Sequence, residues 1–329
     1  MDDVRWFAPN RYCTLPVAAL QSRGLRIATT GNAPARLALA SDGQCAVAAL
    51  VFARKHRARL ATYLWDLPPW RLRNGKPDPV FSIGRRIIRV PRLAGGYAER
   101  AGYYSRIRYV ARRADAVWCP SRQTQQDLDA HFGVTAEELP FCYDSDRFRW
   151  HPDAPDAAPD VPILLSISRL APSKNHELLL RAAAMLPSPV IVRIIGRGED
   201  GPRLQRVALE AGVALRLDQS WASDDEIVAA YREATVVVCP SRFEGFGLTP
   251  IEAVAMGRRV VASSIPTHRE FLGDRVPLFD PDDPAALAAA ISAALDAPEP
   301  APPVDPPFPA LTIEAAAGRL HPAIVRLLA

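Results

Sequence analysis

Two glutamates, Glu244 and Glu252, stand with seven residues between them in the run Pro240-Ser-Arg-Phe-Glu-Gly-Phe-Gly-Leu-Thr-Pro-Ile-Glu-Ala-Val-Ala-Met-Gly257. The run joins three things that a nucleotide site needs: a glycine-bearing loop after an apolar strand, a helix N-terminus, and carboxylates on both sides of the loop. Val236-Val-Val-Cys239 is short, β-branched and apolar, which predicts a buried parallel strand. Glycines in Glu244-Gly-Phe-Gly247 let main-chain N–H groups approach a ligand without a Cβ in the way. The helix that follows directs its positive end at the loop. A structural reading also fits part of the run. Thr249-Pro-Ile-Glu252 has the form of a capping box with proline at the first helical position, and Gly257 then closes the helix. Glu244 has no such use, because a carboxylate in that loop caps nothing.

Two cations form a second constellation. Arg169 follows the apolar strand that begins at Ile163, and Lys174 comes five residues later, just before a helix. That spacing lets both reach one anion over a strand end, although taken alone they read first as a pair of solvated surface charges. Where bond breaking leaves extra negative charge on a bound anion, cations and N–H donors belong where that charge develops.

In order along the chain, Ser166-Ile-Ser-Arg-Leu-Ala-Pro-Ser-Lys-Asn-His-Glu-Leu-Leu-Leu180, Ile194-Ile-Gly-Arg-Gly198, Pro240 to Gly257, and Leu278-Phe-Asp-Pro-Asp-Asp-Pro-Ala-Ala-Leu287 resemble the donor-site motifs of retaining glycosyltransferases of family 4. The resemblance implies the GT-B fold: α/β, with two doubly wound Rossmann-like domains facing each other across a cleft. It implies a metal-independent, retaining hexosyl- or glycosyltransferase, with no cofactor and a nucleotide-diphosphate-sugar as co-substrate. Arg169 and Lys174 would hold the diphosphate, and with Glu244 they form the catalytic set. Glu244 would touch hydroxyls of the transferred sugar, and Glu252 would accept from the ribose. The amides of Gly245, Phe246, Gly247 and Leu248 would face sugar and phosphates, and Gly196 and Gly198 would let the chain pass the nucleotide. The family pattern has glycine where this chain has Ser168. The leaving phosphate can itself take the acceptor's proton, so no protein base is assigned.

Composition sets bounds on this reading. The chain has 329 residues, enough for two domains, and a net charge of +4. No apolar run reaches the ~18 residues needed to span a bilayer. The start, Met1-Asp-Asp-Val-Arg-Trp, lacks an apolar signal segment, which predicts a cytoplasmic protein. Five scattered cysteines without a CxxC pair read as reduced core residues, and six dispersed histidines offer no metal motif.

Strand and helix patterns alternate along the chain, the mark of βαβ units and parallel sheets. In the first half, strands are expected at 5–8, 25–29, 60–65 and 116–119, and helices at 15–22, 46–55, 98–113 and from 122 to about 131. The proline-rich run His151 to Pro162 reads as a linker. After it, the second half repeats the alternation up to another proline-rich run at 297–309. The expected domains are an acceptor-side domain over 1–155, a nucleotide-sugar domain over 156–310, and a closing helix over 311–329 that the GT-B resemblance packs on the first domain. Ala114 to Arg122 parallels Ala234 to Arg242, since both run from strand into Cys-Pro-Ser-Arg.

The first domain departs from the family: Phe7 to Thr14 has no glycine where relatives carry a glycine-rich turn. Asp66, after an apolar strand, is a candidate contact for sugar or acceptor and equally a turn cap before Pro68. Residues 54–113 are strongly basic, with only Asp66, Asp78 and Glu99 as acids. Phe81 to Arg92 mixes apolar and basic residues in the manner of a membrane-surface segment. The expected partners are a nucleotide sugar, a saccharide or lipid-linked acceptor, and an anionic membrane at the inner face of the cytoplasmic membrane. No nucleic-acid motif accompanies the basic region. The expected function is sugar transfer in bacterial cell-surface polysaccharide or glycolipid synthesis. Two alternatives stay open: a non-hydrolysing sugar-nucleotide epimerase, and a non-catalytic GT-B-like nucleotide-binding or scaffolding module.

Overall fold

The computed structural model describes residues 1–67, 97–151, 159–220, 222–298, 303 and 306–329, with the backbone alone at 97–103 and at four short strands between 72 and 87. The chain forms two compact units. One comprises Met1–Cys142 with Ile313–Ala329, and the other comprises Tyr143–Thr312.

In the first unit the elements run β1 (Asp2–Phe7), α1 (Val17–Ser22), β2 (Ile27–Ala28), β3 (Ala35–Ala40), α2 (Ala46–His56) and β4 (Arg59–Tyr63). The antiparallel pairs β5 (Leu72–Arg73) with β6 (Lys76–Pro77), and β7 (Ser82–Ile83) with β8 (Arg86–Ile87), follow. Then come α3 (Tyr97–Ala111), β9 (Ala116–Cys119), α4 (Arg122–Asp127) and β10 (Glu137–Glu138). The main sheet is parallel throughout, in the order β10-β9-β4-β3-β1-β2. The helix at the end of the chain (Ile313–Leu328) packs against α1 in this unit. Its Arg319 donates to the carbonyls of Pro140 and Phe141, and Arg23 pairs with Glu314.

The central strand β3 is absent from the sequence reading. Ala-Arg-Leu-Ala-Leu-Ala lacks the β-branched and aromatic residues that mark strands, yet five of its six residues are buried between β1 and β4. Tertiary pairing overrides weak local preference here. Apart from the backbone of β7 and β8, the basic-apolar segment Phe81 to Arg92 lies outside the described residues, as does most of the linker run, at 152–158.

The second unit runs β11 (Ile163–Ile167), α5 (His176–Ala183), β12 (Ile191–Ile195), α6 (Gly201–Ala211), β13 (Ala214–Asp218) and α7 (Asp224–Glu233). It continues with β14 (Val236–Cys239), α8 (Leu248–Ala255), β15 (Val260–Ser263), α9 (Pro266–Leu272), β16 (Leu278–Phe279) and α10 (Pro284–Asp296). Its sheet is also parallel, in the order β13-β12-β11-β14-β15-β16. Leu164, Val192, Ile194, Val236, Val238 and Val261 bury one face with Leu178 and Leu179 of α5, Leu204 of α6 and Leu287 and Ile291 of α10. Residues of the other parity, Leu165 and Val237, are also fully buried, so this sheet is apolar on both faces, as parallel sheets are. Ser223 caps α7 with a complete capping box to Glu226.

The strand order gives the site its place. From β11 the chain winds outward through β12 and β13, then returns to lay β14 on the other side of β11. The connections leaving β11 and β14 therefore diverge at their carboxyl ends, and the crevice at such a reversal is where open α/β sheets bind ligands.

Candidate functional site

Three connections meet at the carboxyl ends of β11, β12 and β14. The β11 connection carries Arg169 and Lys174, the β12 connection Gly196 and Gly198, and the β14 connection Glu244 to Leu248. Main-chain bonds lock the first two together: Ser168 N–H donates to Ile195 O, and Leu170 N–H donates to Arg197 O. Gly198 bridges to Leu170 in parallel register. A Cβ at Gly196 would collide with the Ser168 carbonyl, and one at Gly198 with the Leu170 carbonyl. Glycine is required at both positions by this main-chain approach alone.

The β11 and β14 connections are joined more strongly. Lys174 Nζ lies 2.7 Å from Glu244 Oε1, with the two side chains only 13% and 18% exposed. Ser241 Oγ donates to the same carboxylate oxygen at 2.6 Å. Arg242 N–H donates to Ser173 O, and the Arg242 guanidinium pairs with Asp282 at 2.6 Å. Asn175, held in the left-handed region with φ 57°, donates from Nδ2 to Pro281 O at 2.8 Å. The segment after β16 is thereby tied to the same corner.

Burial works to raise the Glu244 pKa, but the Lys174 charge, His268 and the bonds from Lys174 and Ser241 outweigh it. The carboxyl is held below its ordinary value and stays ionised. Lys174 is thus partnered within the protein by Glu244. Arg169 is exposed; its carbonyl accepts from Ala171 N–H, and its guanidinium makes no hydrogen bond or ion pair with another described residue. It is the cation of the two that stands uncommitted.

Glu252 does not close a capping box. Helix α8 starts at Leu248 after Gly247, whose φ of 80° takes the chain through the left-handed region. The Thr249 hydroxyl is turned away from the helix and donates to Ile167 O at 2.9 Å, joining α8 to the end of β11. Glu252 is buried and takes a 3.0 Å bond on Oε2 from the Tyr231 hydroxyl. Gly257 does follow the helix with φ 72°, where a Cβ would strike Trp150. Phe246 is buried edge-on against Phe271, so its ring anchors the loop while its main chain stays at the helix start. Gly245 and Leu248 flank it in the same turn.

Residues without an assigned role in the sequence complete the site. Thr267 Oγ1 donates to Glu244 O at 2.7 Å, and Ser263 Oγ donates to Ser241 O. His268 is 1% exposed, and its Nδ1–H donates to Ser263 O at 2.9 Å, since a carbonyl only accepts. Its ring edge packs on Gly247, and burial lowers its pKa against the pull of Glu244. His176, equally buried, bonds Ser168 Oγ at 3.0 Å, and burial pushes its pKa down to about 4. Two neutral imidazoles thus support the two ligand-side loops. His176 stands inside a motif the sequence displays, but no local pattern marks Tyr231 or His268.

Asp66 lies in the first unit, near the start of the connection leaving β4, and lines a cavity of about 30 Å³ with Asp42, Trp65 and Tyr104. Burial and the Asp66 charge raise the Asp42 pKa. No group of three or more metal-ligating side chains occurs among the described residues.

Comparison with known proteins agrees with this arrangement. Residues 150–302 match the family model described as glycosyl transferases group 1. A D-inositol 3-phosphate glycosyltransferase from Geodermatophilus obscurus is 30% identical over 249 residues, covering 67% of this chain and 55% of the relative. A GDP-mannose-dependent alpha-(1-6)-phosphatidylinositol monomannoside mannosyltransferase from Mycolicibacterium smegmatis is 33% identical over 175 residues, covering 47% of this chain and 46% of the relative. The chain thus spans about half the length of these curated relatives. Among solved structures, Anabaena Alr3699/HepE in complex with UDP-glucose superposes with a TM-score of 0.67 at 16% identity, covering 100% of this chain and 97% of that one. That likeness carries the GT-B fold of two Rossmann-like domains. Residues 150–302, the stretch matched by the glycosyl transferases group 1 model, hold every element of the switch-point site.

Proposed function

We propose that the protein is a retaining, metal-independent glycosyltransferase that moves a sugar from a nucleotide-diphosphate donor to a saccharide or lipid-linked acceptor, in the synthesis of bacterial cell-surface polysaccharide or glycolipid. The observation that carries the proposal is the convergence of Arg169, Lys174, Glu244 and the Gly245–Leu248 turn at the switch point of one parallel sheet. The relatives, which include a GDP-mannose-dependent mannosyltransferase, support the same chemistry.

In this reading the uncommitted Arg169 binds the diphosphate first, and Lys174 shares its charge between Glu244 and the phosphates. The amides of Gly245, Phe246, Gly247 and Leu248 at the start of α8 donate toward sugar and phosphate oxygens. Glu244, held ionised, accepts from sugar hydroxyls, and Glu252 accepts from the ribose. As the glycosidic C–O bond breaks, the electron pair goes to the diphosphate oxygen, where these cations and amides stabilise it. The acceptor hydroxyl bonds to the anomeric carbon on the face the donor leaves, and its proton passes to the departing phosphate.

Asp66 is proposed to contact the sugar or acceptor. Contact with an anionic membrane is proposed for the basic region. Just before it, α2 exposes Val47 and Val51 beside the region's Arg54 and Lys55, and within it Arg113 lies 3.6 Å over the exposed ring of Tyr109. No described helix is long and apolar enough to cross a membrane. The test of function is a thermal-shift screen of nucleotide diphosphates and their sugars, followed by measurement of nucleotide-diphosphate release. A donor that stabilises and turns over supports the proposal, and its failure across the panel rejects it.

A further inference from the structure

We propose that Tyr231 is the residue that positions Glu252, and through it sets the affinity of the site for the ribose of a nucleotide diphosphate. The inference rests on the reading of Glu252 as the ribose acceptor. Tyr231 is fully buried in α7, and its hydroxyl lies 3.0 Å from Glu252 Oε2 and 3.3 Å from Thr249 O. One hydroxyl has one proton, and the nearer, ionisable oxygen is the stronger acceptor. Burial, then the Glu252 charge, raise the phenol's pKa well above its ordinary value, so the group remains a donor. Phe148 fixes the ring from the other side, edge-on at 88° with centroids 5.9 Å apart.

The last torsion of a glutamate is broad, so a carboxylate without a directional partner rotates freely. Glu252 has that partner. The Thr249 hydroxyl, which in a capping box would engage the helix start, is instead committed to Ile167 O. Tyr231 holds one oxygen of the carboxylate in a fixed direction. A ribose diol presents its hydroxyls at a fixed separation, and a carboxylate pre-set in rotation meets them without ordering cost.

The experiment titrates UDP, GDP and ADP, each with its 3′-deoxy form, into the full chain and into Tyr231→Phe, Glu252→Gln and Phe148→Leu. With the nucleotide that binds the wild type, Tyr231→Phe is expected to weaken the ribonucleotide about tenfold and to leave the 3′-deoxy form nearly unchanged. In turnover the same variant raises KM for the donor and keeps kcat. Phe148→Leu leaves the hydroxyl in place, so it lowers Tm and keeps the preference for ribose. The double variant Tyr231→Phe with Glu252→Gln is expected to bind no more weakly than Glu252→Gln alone. Wild-type ribose preference in Tyr231→Phe overturns the inference while leaving Glu252 as the acceptor. Wild-type ribose preference in Glu252→Gln overturns the reading of Glu252 and the inference with it.

Discussion

Lys174 Nζ lies 2.7 Å from Glu244 Oε1, and this one ion pair ties the connection after β11 to the connection after β14 across the reversal of strand order. Both side chains are largely buried, so neither charge can be left alone cheaply. Lys174→Met strands an uncompensated carboxylate and is expected to cost about 3–5 kcal/mol of unfolding free energy. Adding Glu244→Gln should restore most of that stability without restoring transfer. Urea unfolding of both variants checks this, and a Lys174→Met protein as stable as wild type contradicts the pairing.

Arg169 separates binding from stability. It is exposed and uncommitted among the described residues, so Arg169→Ala should leave Tm within the scatter of surface changes, about ±0.5 kcal/mol. Its loss removes a charge-assisted bond to phosphate, expected to weaken nucleotide diphosphate at least about tenfold. Differential scanning fluorimetry with and without nucleotide reads both effects in one assay.

Gly196 and Gly198 are expected to tolerate nothing larger. Alanine at either position drives a methyl into a main-chain carbonyl of the β11 connection, so both variants should lose far more stability than Gly212→Ala. Gly212 has φ 68° and open space around the Cβ position, where the cost is the left-handed backbone alone, about 1 kcal/mol. Soluble yield and unfolding midpoints of the three variants rank them, and equal losses contradict the account.

Acid stability follows from His176. Its ordinary pKa is 6.5, and its folded value is about 4. Above pH 6.5 both folded and unfolded forms are neutral, and the residue costs nothing. Between 6.5 and 4 the unfolded chain takes up a proton that the native state refuses, so stability falls as pH falls, by about 3 kcal/mol in total. His268, also lowered, acts in the same direction. Glu244 contributes stability above pH 4.5 that is lost only as pH drops through its lowered folded value, a second and more acid loss. Tm measured from pH 7.5 to 3.5 should slope down from about 6.5, and His176→Asn should flatten that upper part. An unchanged slope in the variant assigns the effect elsewhere.

The part of the site carried by local pattern was legible in the amino-acid sequence. The β-branched run at 236–239, the glycines of the following turn and the spacing from Arg169 to Lys174 all report short-range geometry. The capping box was misleading, because Thr249-Pro-Ile-Glu252 has the right residues, but the Ile167 carbonyl and the Tyr231 hydroxyl compete for its side chains. Those partners come from β11 and α7, and nothing local to α8 announces them. The Lys174 pairing was hidden for the same reason, since its acid lies on another connection. Strand β3 was missed because alternating alanine and leucine carries little strand preference, and only its place between β1 and β4 makes it one.

The most direct test of the central claim is calorimetric titration of UDP, GDP and ADP into the wild-type protein, Arg169→Ala and Lys174→Met at constant salt. The account predicts that at least one nucleotide diphosphate binds the wild type and that both variants bind it at least about tenfold more weakly. Equal affinity in all three proteins, or binding of none of these nucleotides by the wild type, would contradict a diphosphate cradle at the β11–β14 switch point.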